Sequence, residues 1–370
     1  MSTQSTDYLS AIKNLDEDFQ SYMVMGFVFI ILIFMIGYVI YLVKLEDSEC
    51  NYMDNLYSTL NGNIHSIKQD MSGSLYDYYV KTAYNACSGG SYKNDFVDIC
   101  NLKAVLKQGV RCLDFEIYSI GNTPVVATST QDNFYIKETF NSVAFGTVMK
   151  TINDYAFASG TAPNYEDPII IHLRIKSNNQ EMYSKLASIF RSYPLLMLGS
   201  DYSFEDHGHN IAQKKLSTFK GKVILAVDKT NNAFLENKEI LEFINITSNS
   251  AFMRAYNYND VKNNPDINEL TNFNRRGLTI ALPDNGIDPA NPSGFLCREL
   301  GCQMVAMRYQ YNDNFLKENN KFFDSCGSAF CLKPERLRYT VVTIPNPTKQ
   351  NPAYSYATRE ASSDYYSFKF

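Results

Sequence analysis

The sequence predicts an α/β protein: a TIM-type (β/α)8 barrel preceded by one transmembrane helix. Three observations carry this prediction. Strand-like and helix-like runs alternate through most of the chain. The alternating region, 75–340, has the roughly 250 residues that such a barrel needs. Near the start, Met23–Val43 is a run of 21 residues without a charged side chain.

Residues 1–22 form a short polar leader. The run MVMGFVFIILIFMIGYVIYLV follows. At about 1.5 Å per residue it spans a hydrocarbon core of roughly 30 Å. Fourteen of its residues are Phe, Ile, Leu or Val, each favourable by about 0.3–0.6 kcal/mol near the bilayer centre. A secretory signal peptide is the competing reading. It conflicts with the length of the run, the acidic leader, and the lack of a small-residue cleavage site. Orientation stays open, because the flanks carry Lys13 and Lys44 against an excess of acidic residues, which leaves the positive-inside rule little to count. Residues 44–74 read as a polar stalk with patchy helical spacing, ending in Ser72-Gly73-Ser74.

The barrel elements then follow in order. Val110–Tyr118 alternates with a period of two, and Pro124–Ala127 is a short β run. Val143–Phe157 has helical spacing. Pro168–Ile175 is a buried-strand run opened by proline, and Gln180–Tyr193 is helical. Lys222–Val227 reads as a strand and Phe234–Phe243 as a helix. Leu278–Leu282 and Gln303–Tyr309 supply later strands. Alternation of this kind predicts a parallel sheet with crossover helices. Residues 341–370 turn Pro- and Asn-rich and read as an extended tail.

The net charge of −5 leaves no basic stripe to neutralise phosphates, which excludes a nucleic-acid partner. Trp is absent and Asn is frequent, a bias expected of an AT-rich genome. All eight cysteines follow the apolar run. Cys297-x4-Cys302 and Cys326-x4-Cys331 form two similar pairs, open to disulfide, zinc or free-thiol readings. The single sequon Asn245-Ile246-Thr247 fixes no compartment.

The segment Leu75–Thr130 reads LYDYYVKTAYNACSGG, then GVRCLDFEIY, then TPVVATST. It resembles the first catalytic half (X box) of phosphoinositide-specific phospholipase C, which writes LNHYFVxSSHNTY, GCRCVELD and PVVYHGHT. Later blocks resemble the second half (Y box): FKGKVIL from Phe219, LTIALPDN from Leu278, GCQMVAM from Gly301 and FCLKPERLR from Phe330. The resemblance implies a phospholipase C-like barrel with an X half at about 75–200 and a Y half at about 215–340. Cys112 and Cys302 fall where that family also has cysteine, and are expected as buried thiols.

The family reaction needs a general base, a general acid and positive charge at the phosphate, the last supplied by calcium. Against that pattern, Tyr84 and Thr128 stand where the family has its two histidines. Tyr, with an unperturbed pKa near 10, is a poor proton shuttle at neutral pH. Asn85 matches a calcium ligand, and Asp114 and Glu116 retain two carboxylates. Arg174 replaces the last liganding glutamate, so Asp114 and Glu116 are expected to pair with it. Ala226 and Asp228 replace two substrate lysines; Ile280 and Leu282 replace the Arg and Tyr of SRIYP. His172, two residues before Arg174, is expected to point into the barrel. His65 falls in the stalk, and Asp206-His207-Gly208-His209 reads as a polar loop, with a relocated acid–base pair or metal site as the alternative.

These losses imply a membrane-anchored, catalytically inactive phospholipase C-like barrel serving as a structural or binding module. The alternatives are an active phosphatidylinositol phospholipase C or related phosphoric diester hydrolase with an altered site, and a sensor that binds a lipid headgroup without cleaving it. No cofactor is expected. If the ancestral site survives, calcium is the cofactor and Asn85, Asp114 and Glu116 its ligands. The expected partners are the lipid bilayer and a protein at a membrane or virion. The composition also suggests a large-DNA-virus protein, with a virion inner membrane as its location.

Overall fold

The computed structural model describes residues 3–67, 72–133, 135–340, 345–351 and 354–370. Parts of the predicted leader (1–2), stalk (68–71) and tail (341–344 and 352–353) therefore lie outside the described residues. The chain divides into two units, Met1–Arg338 and Tyr339–Phe370.

Eight parallel strands build the first unit: β1 (Tyr78–Ala83), β2 (Cys112–Ile120), β3 (Ile169–Ile175), β4 (Val223–Asp228), β5 (Ile246–Ser248), β6 (Met253–Asn257), β7 (Leu278–Leu282) and β8 (Met304–Met307). Parallel ladders run from β1 through β5, and from β6 through β8 back to β1. Among the described residues no ladder joins β5 to β6. The result is a nearly closed (β/α)8 barrel. β3 and β4 are the near-continuous apolar runs IIIHLRI and VILAVD, as expected of strands buried on both faces. The short β5 and β6 carry no comparable run, and sequence pattern missed both.

Helices cover the outside and are stopped and started by local chemistry. Asp98 caps Ile99–Lys107 by accepting from the Cys100 amide, and Asn179 caps Gln180–Arg191 in the same way. Asp313 opens Asn314–Cys326, and Gly327 closes it in the left-handed region at φ 72°. One apolar cluster lies between strands and helices; a second fills the barrel interior, with Ile170, Ile224, Ile246, Ile280 and Met304 among its members.

The N-terminal helix, α1, runs unbroken from Thr3 to Leu56. The segment read as a stalk thus continues the helix and then packs on the barrel, with Met53 fully buried and Tyr57 7% exposed. From Phe19 onward α1 is long and apolar enough to cross a membrane, a test that a signal sequence near the N-terminus also passes.

The cysteine pattern divides differently from either symmetrical reading. Cys326 and Cys331 form a disulfide, whereas Cys297 and Cys302 are buried free thiols. Cys302 is held in the core, where its sulfur accepts from the Asn274 amide. Cys50 instead bonds Cys100 and ties α1 to the helix α2 (Ile99–Lys107). Cys112 is buried and unpaired, as expected. The tail read as extended contains an antiparallel hairpin, Glu360–Ser363 with Tyr366–Lys369.

Candidate functional site at the barrel mouth

Strand register brings the predicted polar residues together. Side chains alternate across a strand, so Asp114 and Glu116 on β2 and His172 and Arg174 on β3 all face inward. Asp114 pairs in register with His172, and Glu116 with Arg174. His172 pairs in turn with Ala226, and Asp228 with Ser248. These positions lie at the C-terminal ends of the strands, where barrel enzymes place their chemistry.

The Arg174 guanidinium occupies the centre of this layer. Nε and Nη2 donate to the two Asp114 oxygens at 3.1 and 2.8 Å. Nη1 donates to Glu116 at 2.9 Å and Asp132 at 3.2 Å. Nη2 also donates to the Asn85 Oδ1 at 3.2 Å. A guanidinium has five N–H donors, and five acceptors are present. The ion pair expected between Arg174 and the two β2 carboxylates is therefore formed. Arg174 is 3% exposed, Asp114 is fully buried and Glu116 is 1% exposed.

The carboxylates have further partners. Glu116 accepts from the Tyr118 hydroxyl at 2.7 Å and from the Ser129 amide and hydroxyl at 3.0 and 3.1 Å. Asp114 accepts from the His172 Nδ1 at 2.7 Å, and the other ring nitrogen of His172 meets the Ser248 hydroxyl at 2.9 Å. Burial works to raise the Asp114 pKa, but Arg174 and His172 outweigh it and hold the carboxyl well below its usual range. For Arg174 burial opposes the charge, yet Asp114, Tyr84 and Glu116 keep the pKa well above the ordinary value.

Tyr84 and Thr128 are both buried and both engaged. The Arg174 guanidinium lies 4.6 Å over the Tyr84 ring, a cation–π contact. Burial raises the Tyr84 pKa well above 10. Thr128 donates to the Tyr92 carbonyl at 3.1 Å. Ala226 and Ile280 are sealed inside the barrel. Asp228 and Leu282 line a mouth cavity of about 260 Å³, together with Asp132, Lys176, Asn249 and Tyr256. His65, His207 and His209 are exposed, away from this layer. Sequence reasoning missed Asp132, Lys176 and Ser248. Lys176 was findable, since it shares the inward face of Arg174 two residues on; Asp132 lies in a loop and Ser248 on the unrecognised β5.

Residues 71–229 match the family profile of the phosphatidylinositol-specific phospholipase C X domain. The human 1-phosphatidylinositol 4,5-bisphosphate phosphodiesterase zeta-1 is 23% identical over 347 residues, covering 78% of this chain. The chain spans 54% of that protein's length. Among solved structures, PLC21 of L. pealei superposes with a TM-score of 0.59 at 19% identity, covering 73% of this chain and 38% of its own. PLC21 of S. officinalis gives 0.58 at 16%, with the same coverage. These structures establish the phospholipase C-like barrel fold.

The calcium implied by the X-domain resemblance does not fit the residues present. Asn85 Oδ1, both Asp114 oxygens and Glu116 Oε1 all accept from Arg174. A divalent ion among them would sit against a fixed, buried positive charge.

Proposed function

We propose that this chain is a membrane-anchored, non-hydrolytic phospholipase C-like barrel that binds lipid headgroups at its mouth. The observation that carries the reading is the Arg174 guanidinium, whose five donors are spent on Asn85, Asp114, Glu116 and Asp132. The charge that calcium would supply is thereby fixed and neutralised. Tyr84 and Thr128 hold the two proton-transfer positions without a group that titrates near neutrality. General acid–base groups each contribute about 10²–10⁴-fold, so losing both removes most of the rate.

The mouth cavity favours a particular headgroup chemistry. Asp132, Asp228 and Asp260 contribute three carboxylates, against Lys176 and the already paired Arg174. Asn231, Asn249 and Asn257 add neutral polar groups. Such a lining suits hydroxyl-rich or cationic headgroups and disfavours polyphosphates. The bilayer is the proposed partner. The viral and virion placement rests on composition alone, and no feature of the fold adds to it.

The test uses full-length protein in nanodiscs containing labelled phosphatidylinositol, with and without calcium. No release of inositol phosphate is expected. A second reading draws on the Asp114–His172–Ser248 hydrogen-bond chain, which resembles a nucleophile–base–orienter arrangement. All three residues are fully buried, which disfavours it. Turnover abolished by His172→Ala would establish that reading and overturn the first.

A further inference from the structure

The helix that carries the apolar run does not end in a flexible tether. Its half-buried and buried positions, Leu42, Leu45, Glu46, Glu49, Cys50, Met53 and Leu56, fall on one side at three- and four-residue spacings, and Tyr57 just past its end is buried. The stripe starts inside Met23–Val43 and continues without a glycine or proline break into the barrel contact. Glu46 accepts from Asn141, in the segment that follows the strand Thr123–Ala127. A side chain at Gly90 would collide with Glu49 and Asp95, so the loop after β1 presses on the helix there. Tyr57 donates to the Tyr309 carbonyl at 2.9 Å, and the Cys50–Cys100 disulfide covalently joins the two helices.

The direction of the helix is fixed by the same contacts. Cys50 meets Cys100 near the start of α2, and Asp54 meets Lys107 at its end. The two helices therefore run in the same sense. α2 starts at the mouth, after the β1 loop, and descends. Residues beyond the helix continue to the opposite end, where the Ile67 amide donates to Asp167 just before β3. The apolar run accordingly projects past the mouth. Glu49 lies six positions beyond Val43, about 9 Å along the helix. The mouth loops also expose apolar side chains: Ile136 is 77% exposed, Ile287 52% and Tyr311 47%.

We infer that α1 is a rigid strut that holds the barrel with its mouth against the leaflet from which the helix emerges, so that Ile136 and Ile287 meet lipid. This rests on the membrane-anchor reading above. The mouth then faces headgroups of the same bilayer, and the opposite end of the barrel faces water.

The absence of Trp makes the test direct. Full-length chain is reconstituted in vesicles containing a lipid brominated along its acyl chain, and three single-Trp variants are compared. Phe34→Trp, in the apolar run, reports anchoring. Ile136→Trp reports the mouth. Leu195→Trp, 83% exposed beside the start of β4, reports the opposite end. The expected result is strong quenching at 34, at least twofold at 136, and none at 195. Loss of quenching at 34 overturns the anchor itself. Quenching at 34 without quenching at 136, or with equal quenching at 195, overturns the orientation alone. Inserting a Gly-Ser linker after Lys44 leaves the docked part of the helix in place, and quenching at 136 should fall at least twofold while that at 34 persists. Retained quenching at 136 would overturn the strut.

Discussion

Arg174→Met is the most discriminating perturbation of the buried layer. Methionine keeps much of the side-chain volume and removes the charge and all five donors. It leaves Asp114 and Glu116, 0% and 1% exposed, without their cation. Removing one partner of a buried ion pair costs about 3–5 kcal/mol, because the remaining charge stays desolvated. In a domain of this size each kcal/mol lowers Tm by roughly 2–4 °C, so the expected drop is about 6–20 °C. Calorimetry or urea unfolding at neutral pH reads it. Adding Asp114→Asn and Glu116→Gln to the Met variant should recover most of the loss, since the stranded charges are then gone. The pH dependence has a definite sign. The Asp114 pKa is held below its ordinary 3.8 in the folded state, so its stabilisation is present above that value and is lost as pH falls through the folded pKa. Wild-type stability should therefore fall as pH drops below about 4. A loss under about 1 kcal/mol, or the same loss with both carboxylates neutralised, would refute the account of Arg174 as their counter-ion.

Arg174→Glu restores the residue type implied for a calcium ligand beside Asn85, Asp114 and Glu116; calcium should raise the Tm of this variant and not that of wild type. Cys50→Ser with Cys100→Ser opens a closure of 50 residues, which chain entropy values at about 4 kcal/mol; denaturation with and without reductant checks it. Glu49 is pushed up to about 10, first by burial and then by Asp95. Because its folded pKa exceeds the unfolded one, its stabilising contribution is complete below about pH 4.5 and declines up to about pH 10. Glu49→Gln should flatten that decline in a Tm-versus-pH series.

Most of the barrel is legible in the sequence. Period-two and apolar runs at β2, β3, β4 and β7 are local signals, since each strand must bury its side chains whatever its neighbours. The same alternation, once β3 was recognised, placed His172 and Arg174 on one face. Charge arithmetic then paired Arg174 with Asp114 and Glu116. Strands β5 and β6 escaped, because ITS and MRAYN are neither continuous apolar runs nor cleanly alternating. What tertiary structure decided were contacts between residues far apart in the chain. Asp132 joins Arg174 from a loop 42 residues away, and Ser248 meets His172 from 76 residues away. The pairing of Cys50 with Cys100, and the side of the barrel on which α1 runs, depend on how the first loop packs against the helix. No spacing in the sequence encodes that, because it is set by surfaces that exist only after the barrel has closed.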